Sequence, residues 1–536
     1  MPISLRILAV AGLGLAFVAC EVVGSVQRPA AGGVYREGVV GQPISLNPLL
    51  DPLDPVTGDI ARLVFAGLVR ITDAGAVEPD LADRWTTSED GRSYLFHLRD
   101  GATWQDGSPV TVDDVLTTVA IVQSPDYQGP SELGALWRRV RAESLSPSTL
   151  RFELDEPYSS FIEASSLPLL PGHVFSPGQA GSLRDHPGSY APVGAGPFRV
   201  QEVTPQGVRL LRHSGYQGPR PYFDEIDLVF FADVPSAALA LRSGEVDGLA
   251  GLRPDQAASI AGGGGYLAQS VPILAQQVVL VLNQRNVILA DHAVRQAIAA
   301  GIDRGEAIAR ALPGEAVPAY GPVPTYSWAY APFVAVDPRP ADARAWLDRA
   351  GWRGPGPRFQ GLRPLRLELA VPLDARMVSL AQEIQTQLQT FGVQVDLAPT
   401  DELDLYRERL VPRTFEMALI GVALGSVDPD PYALWHSSRA RTGLNFASYS
   451  SPEADRLIEK ARLDGDPERR RGALAAFQQL WLDDVPSVVV ANPVMTYVVA
   501  DRIRGVRVGV VPDPRARLQH VAEWYVQTQK APALFG

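Results

Sequence analysis

The sequence predicts an α/β fold with mixed sheets, spread over more than one domain, and three stretches carry that prediction. From Leu365 a β-α-β unit is legible: Leu365, Leu367 and Leu369 alternate with Arg366 and Glu368. Met377, Leu380, Ala381, Ile384, Leu388 and Phe391 then repeat with helical period, and Val393, Val395 and Leu397 alternate again. Such a crossover joins parallel strands. Asp90-Gly91, set between Arg84-Trp85-Thr86 and Ser93 to Arg99, makes a hairpin turn, with Tyr94, Phe96 and Leu98 on one strand face. Third, Val278 to Leu282 is an almost unbroken apolar run, as in a strand buried on both sides. At 536 residues the chain is too long for one core and suggests two or three domains of roughly 150 residues each.

Taken in order, residues 1–19 hold a single charge at Arg6 and an apolar run from Ile7 to Val18, which predicts a secretory signal peptide rather than a permanent membrane span. Phe17-Val18-Ala19-Cys20 is similar to a bacterial lipobox, so Cys20, the only cysteine, is expected to carry a lipid anchor. Residues 20–33, with Gly24, Pro29, Gly32 and Gly33, read as a flexible tether. No later segment approaches a membrane-spanning run. A strand ending in the turn Leu46-Asn47-Pro48 comes next, then a short helix from Ile60 to Leu68. Thr111 is expected to cap a helix whose first turn holds Asp113 and Asp114 and whose buried stripe is Val112, Val115, Leu116 and Val119. Gly194-Ala195-Gly196-Pro197 reads as a tight turn feeding the strand Phe198-Arg199-Val200, since a phosphate cradle would need other spacing and a following helix. Asp291 is placed to cap a helix burying Val294, Ala297, Ile298 and Ile302, with an Asp303–Arg304 ion pair expected at its junction. A last helix, Glu468 to Asp484, precedes the closing strands.

Composition narrows function by exclusion. A net charge of −12 argues against a nucleic-acid partner, whose phosphates require basic surfaces. There is no P-loop lysine, no G-x-S-x-G elbow and no H-E-x-x-H, and the seven histidines show no ligand spacing. The sequence therefore predicts no catalytic residue, no metal and no cofactor.

One stretch goes further. Pro79, Leu81, Ala82, Trp85, Asp90, Gly91, Phe96, Leu98, Arg99, Gly101, Asp106, Gly107, Pro109, Asp114 and Val115 fit, at fixed spacing, the signature of the family 5 extracellular solute-binding proteins, the dipeptide, oligopeptide and nickel receptors of bacterial ABC importers. Ser243-Gly244-Glu245-Val246-Asp247 and the run Asp291 to Arg304 also resemble that family. The resemblance implies a two-lobed, periplasmic-binding-protein-like fold of type II with a hinge: lobe I over 34–272 plus 490–536, with an inserted subdomain at about 61–185, and lobe II over 273–489. It implies a lipid-anchored, extracytoplasmic and monomeric receptor that captures a peptide-like or other small polar solute and delivers it to ABC permease subunits. A sensing or chaperone module of the same fold, and a secreted hydrolase, are the alternatives.

The implied ligand residues are Asn47, Gly425, Asp428, Asp430, Tyr432, Trp435 and Asn445. Gly425 stands where many peptide receptors of the family place the aspartate that pairs with the peptide α-ammonium, so that contact is not expected in its usual form.

Overall fold

The computed structural model describes residues 25–52, 54–72, 76–325, 327–332, 340–424, 429–508 and 514–532. Residues 1–19, Cys20, Gly425 and Asp428 lie outside the described residues.

β1 (Ser25–Ala30) pairs antiparallel with residues 527–532, so residues 25–30 of the segment expected as a flexible tether are strand. A backbone partner at the far end of the chain supplies the ladder, which local composition could not reveal. β2 (Val34–Val40) follows, then α1 (Pro55–Val64). α1 starts earlier and stops sooner than expected: the Asp54 carboxylate accepts from the Thr57 N–H at 2.7 Å, and Pro55 fills the first turn without needing a donor. Residues 65–68 continue as buried but non-helical chain.

The inserted region opens with β3 (Ala82–Thr87) and β4 (Ser93–Leu98), whose turn places Gly91 at φ 67°, followed by α2 (Val112–Gln123), β5 (Val140–Ser146) and β6 (Thr149–Leu154). The strands form an antiparallel sheet of order β3-β4-β6-β5. Thr111 is the N-cap of α2 as expected, and Asp114 in the first turn accepts from the Thr111 N–H at 2.7 Å and hydroxyl at 3.0 Å as well as from the Trp104 indole at 3.2 Å. Phe96, Trp137, Phe152 and Phe161 meet edge-on beneath the sheet at centroid distances of 5.4–5.7 Å. These side chains belong to the same hydrophobic cluster as Tyr35, Phe198 and Trp524, so the insertion shares its core with the strands around β2.

The chain then builds β7 (Phe198–Thr204), β8 (Gly207–Arg212), β9 (Glu225–Phe231), α3 (Val234–Ser243), β10 (Gly248–Ala250) and β11 (Tyr266–Pro272). The glycine turn before β7 lies against the C-terminal end of α1. A Cβ on Gly194 would stand 1.9 Å from the Val64 carbonyl oxygen, so only glycine fits.

β12 (Gln276–Leu282) enters the second half, followed by α4 (His292–Gly301), α5 (Arg304–Ala311) and β13 (Ala316–Pro318). Val278, Leu280 and Leu282 face one hydrophobic cluster while Val279 and Val281 face another, which explains the unbroken apolar run. Asp303 and Arg304 do different work from the expected ion pair. Asp303 caps α5 by accepting from the Glu306 N–H at 2.9 Å, while Arg304 donates to the Val489 carbonyl at 2.8 Å and sits over the Tyr320 ring. Burial pushes the Arg304 guanidinium down to about 10.

β14 (Arg366–Pro372), α6 (Ala375–Gln389) and β15 (Gln394–Thr400) form the expected crossover, with β14 and β15 parallel. The chain closes with β16 (Met417–Ala423), α7 (Tyr432–Trp435), α8 (Pro452–Leu463), α9 (Pro467–Asp484), β17 (Ser487–Ala500) and β18 (Gln527–Pro532).

One mixed sheet runs β15-β14-β16-β12-β17-β10-β2-β9-β8-β7, with β11 and β13 also paired to β17. β17 belongs to both halves: residues 487–491 pair with β12 and residues 494–500 with β11. Beneath β2, Arg517 is fully buried and donates to Glu37 at 2.8 Å and to both oxygens of Asp59 at 2.7–2.8 Å. Glu37 also accepts from the Tyr35 and Tyr497 hydroxyls at 2.5 and 2.8 Å. That network fastens the segment after residue 514 to β2 and α1.

Candidate functional site

Strand direction locates the site. β16 runs antiparallel to β12 and pairs Ala423 with Gln276, while β14 runs parallel to β16 and β15 parallel to β14. In the other half β10 runs antiparallel to β17, and β2 and β9 run parallel to β10. The carboxyl ends of β14, β15 and β16 therefore point toward the crossing from one side and those of β2, β9 and β10 from the other. In open α/β sheets, ligands bind outside the carboxyl ends of the strands. Here two such ends face each other.

The crossing consists of two segments, residues 273–275 between β11 and β12, and the middle of β17. The buried Asn492 amide donates to the carbonyls of Leu274 at 3.3 Å and Gln276 at 2.7 Å, and Ile273 N–H donates to Pro493 at 2.7 Å. Those bonds tie the two crossing segments together where a hinge has to bend.

Three of these carboxyl ends, those of β9, β14 and β15, are finished by an aspartate that opens a helix. Asp233 accepts from Ser236 N–H at 2.8 Å, Asp374 from Arg376 and Met377 N–H at 3.1 Å, and Asp401 from Leu403 N–H at 2.9 Å. The Ser236 backbone and hydroxyl hold the Asp233 carboxyl below the usual carboxylate range.

The loop after β16 holds most of the expected ligand residues. Asp430 accepts from Tyr432 N–H at 3.1 Å and lies 3.5 Å from the Arg462 Nε. Tyr432 stacks on His436 at 4.3 Å, and Arg462 and Arg439 sit over its ring at 4.4 and 5.0 Å. Trp435 and Asn445 lie beneath the same loop but inside it. Trp435 is buried edge-on against Trp481 at 5.2 Å, and the Asn445 side chain bonds the carbonyls of His436 and Tyr449 and the Tyr449 N–H. Asn47 follows β2 in the other half. It is buried too, donating to Ser189 at 3.0 Å and accepting from Leu49 N–H at 3.0 Å. The structure thus brings Asp430 and Tyr432 together at a half-buried surface and puts Asn47, Trp435 and Asn445 to shaping loops.

Sequence reasoning missed a residue that bridges the inserted region and the second half. Arg462, at the end of α8, lies between the Tyr432 ring and the Tyr158 ring of the inserted region, 5.2 Å from the latter, and its carbonyl accepts from Ser159 N–H at 3.2 Å. No local pattern marks such a contact.

Among the described residues no group of three or more His, Cys, Asp or Glu could hold a metal ion, and no helix is long and apolar enough to cross a membrane. A polar pocket of about 540 Å³ lined by Asn283, Glu368, Arg413 and Glu416 lies at the opposite strand ends, away from the crossing.

Two halves joined by paired crossing segments, with strand ends opposed across them, define a two-lobed solute-binding protein. The chain matches "Bacterial extracellular solute-binding proteins, family 5 Middle" over residues 76–443. It is 31% identical to Protein XP55 of Streptomyces lividans over 87% of this chain and 85% of that one. It is 28% identical to the nickel-binding periplasmic protein of Escherichia coli over 78% of this chain and 81% of that one. The structure of the oligopeptide-binding protein AppA of Bacillus subtilis with a nonapeptide superposes with a TM-score of 0.73 at 23% identity, covering 93% of this chain and all of that one. The chain belongs to the family 5 extracellular solute-binding proteins, and its relatives are named as binding proteins rather than enzymes.

Proposed function

We propose that the chain is the receptor of an ABC importer, capturing a peptide or nickel-complex solute between its lobes and presenting the closed form to permease subunits. The opposed carboxyl strand ends of β2, β9, β10 and β14, β15, β16 carry this reading. Relatives described as oligopeptide- and nickel-binding support the solute class. Lobe I comprises residues 34–272 plus 490–536, including the insertion, and lobe II residues 273–489. Asp430 and Tyr432 contact the solute together with the 425–428 segment, including Gly425 and Asp428; Asn47, Trp435 and Asn445 set the loops that surround it. A signal peptide over 1–19 exports the chain, a lipid on Cys20 holds the monomer at the membrane face, and ligand shifts the hinge only through its greater affinity for the closed state.

Mass spectrometry of solute released from natively expressed protein, followed by thermal stabilisation with that solute, tests the receptor reading. Absence of any released solute together with no stabilisation across peptides and nickel complexes would refute it. Acyl mass on the N-terminal peptide of the native protein, lost in Cys20→Ser, tests the anchor.

A further inference from the structure

The carboxyl ends that face the crossing carry large apolar side chains in the open. Val40 closes β2 at 37% exposure and Ile44, four residues on, is 63% exposed. From the other half Leu373, directly after β14, is 74% exposed, and Leu403, in the helical turn after β15, is 51% exposed. Isolated exposed apolar residues are ordinary on protein surfaces. Here they come from both lobes and occupy the first turns beyond strands that topology aims at one another.

Three of the carboxylates on these loops are already engaged. Asp374 and Asp401, the neighbours of Leu373 and Leu403, accept helix N–H groups, and Asp430 accepts from Tyr432 N–H and pairs with Arg462. Glu402 and Asp404 flank Leu403 as exposed acids. Carboxylates tied to helix N-termini are poor partners for a solute cation, because taking one up competes with a cap already made.

We infer that the solute is one with bulky apolar side groups, which enter between Val40 and Ile44 on one lobe and Leu373 and Leu403 on the other, so that closure buries apolar surface from three parties at once. This rests on the receptor reading and specifies its ligand. Removing such surface from water supplies affinity that only the closed form realises, since in the open form each lobe's side chains remain wet.

The experiment uses the full chain and four probes: trileucine and triserine, each with a free and an acetylated N-terminus. Binding is followed by calorimetry and thermal shift. Trileucine binds at least about tenfold tighter than triserine in both forms, corresponding to burial of at least one leucine side chain. Leu373→Asp and Ile44→Ser each lower trileucine affinity about tenfold. Leu362→Ser, on an exposed hairpin before β14 and 99% exposed, leaves affinity unchanged and controls for surface substitution. Triserine binding as tightly as trileucine, no binding by any probe, or trileucine affinity indifferent to Leu373→Asp and Ile44→Ser overturns the inference. Should the native protein release a polar solute, the inference falls while the receptor reading stands; should it release none and respond to no probe, both fall.

Discussion

Arg462→Met tests whether the two lobes are held by the contact seen between α8 and the inserted region. Methionine keeps much of the apolar stem and deletes the guanidinium, with its cation–π contacts at 5.2 Å to Tyr158 and 4.4 Å to Tyr432 and its 3.5 Å approach to Asp430. Tyr432 and Asp430 sit on the same lobe as Arg462, so losing them costs local order only. Of the side-chain contacts deleted, the one to Tyr158 spans the lobes. With the Arg462 side chain 29% exposed, it is a partly solvated contact worth about 0.5–1 kcal/mol. That free energy multiplies the closed-to-open ratio by about two to five. The Ser159 N–H, bonded to the Arg462 carbonyl at 3.2 Å, reports closure directly, because main-chain atoms survive the substitution. Amide hydrogen exchange of the 157–161 segment is expected to quicken about two- to fivefold in Arg462→Met and equally in Tyr158→Leu, with no further gain in the double variant. Unchanged exchange in both single variants, or additive acceleration in the double, would refute the argument.

Arg517→Met leaves Glu37 and Asp59 as buried carboxylates without their cation; a loss of about 3–5 kcal/mol in stability is expected in denaturant titration, and a loss under about 1 would contradict the role given to that network. Burial pushes the Asp80 carboxyl up to about 6 against the pull of Arg70 and Arg99. An unfolded aspartate titrates near about 3.9, so between about pH 4 and pH 6 the folded protein holds a proton that the unfolded chain has released, and stability falls as pH rises through that window. Asp80→Asn should flatten this slope and raise the melting temperature relative to the parent at pH 7 but not at pH 4; an unaltered slope would count against it. Gly194→Ala, whose Cβ would meet the Val64 carbonyl at 1.9 Å, should cost about 1–3 kcal/mol in thermal unfolding, and a neutral result would show that the turn yields freely.

Periodicity was enough to read those elements whose packing is written locally. The β14-α6-β15 crossover and the α2 cap follow from spacing alone, and the run Val278 to Leu282 announces a strand covered on both faces. The helix at 55–64 was misplaced because its apolar stretch continues past Val64 into buried extended chain, while the Asp54-Pro55 start signal lay upstream. β1 was invisible because its partner lies some 500 positions away at residues 527–532. For the candidate site, family likeness points to the loop after β16 but does not tell its exposed side chains from its buried ones. Asn47, Trp435 and Asn445 are buried in bonds and rings of their own. Exposure and cross-lobe neighbours are properties of the folded whole, which is why Arg462, Tyr158 and Leu373 carried no signal.

β17 occupies the middle of the sheet between β12 and β10, yet it is made after every other strand of that sheet. Until residue 500 leaves the ribosome, β12 and β10 each present an unmatched edge, and neither lobe has its full complement of ladder bonds. Cooperative folding must therefore wait for nearly the whole polypeptide, and the nascent protein remains pliant for most of its synthesis.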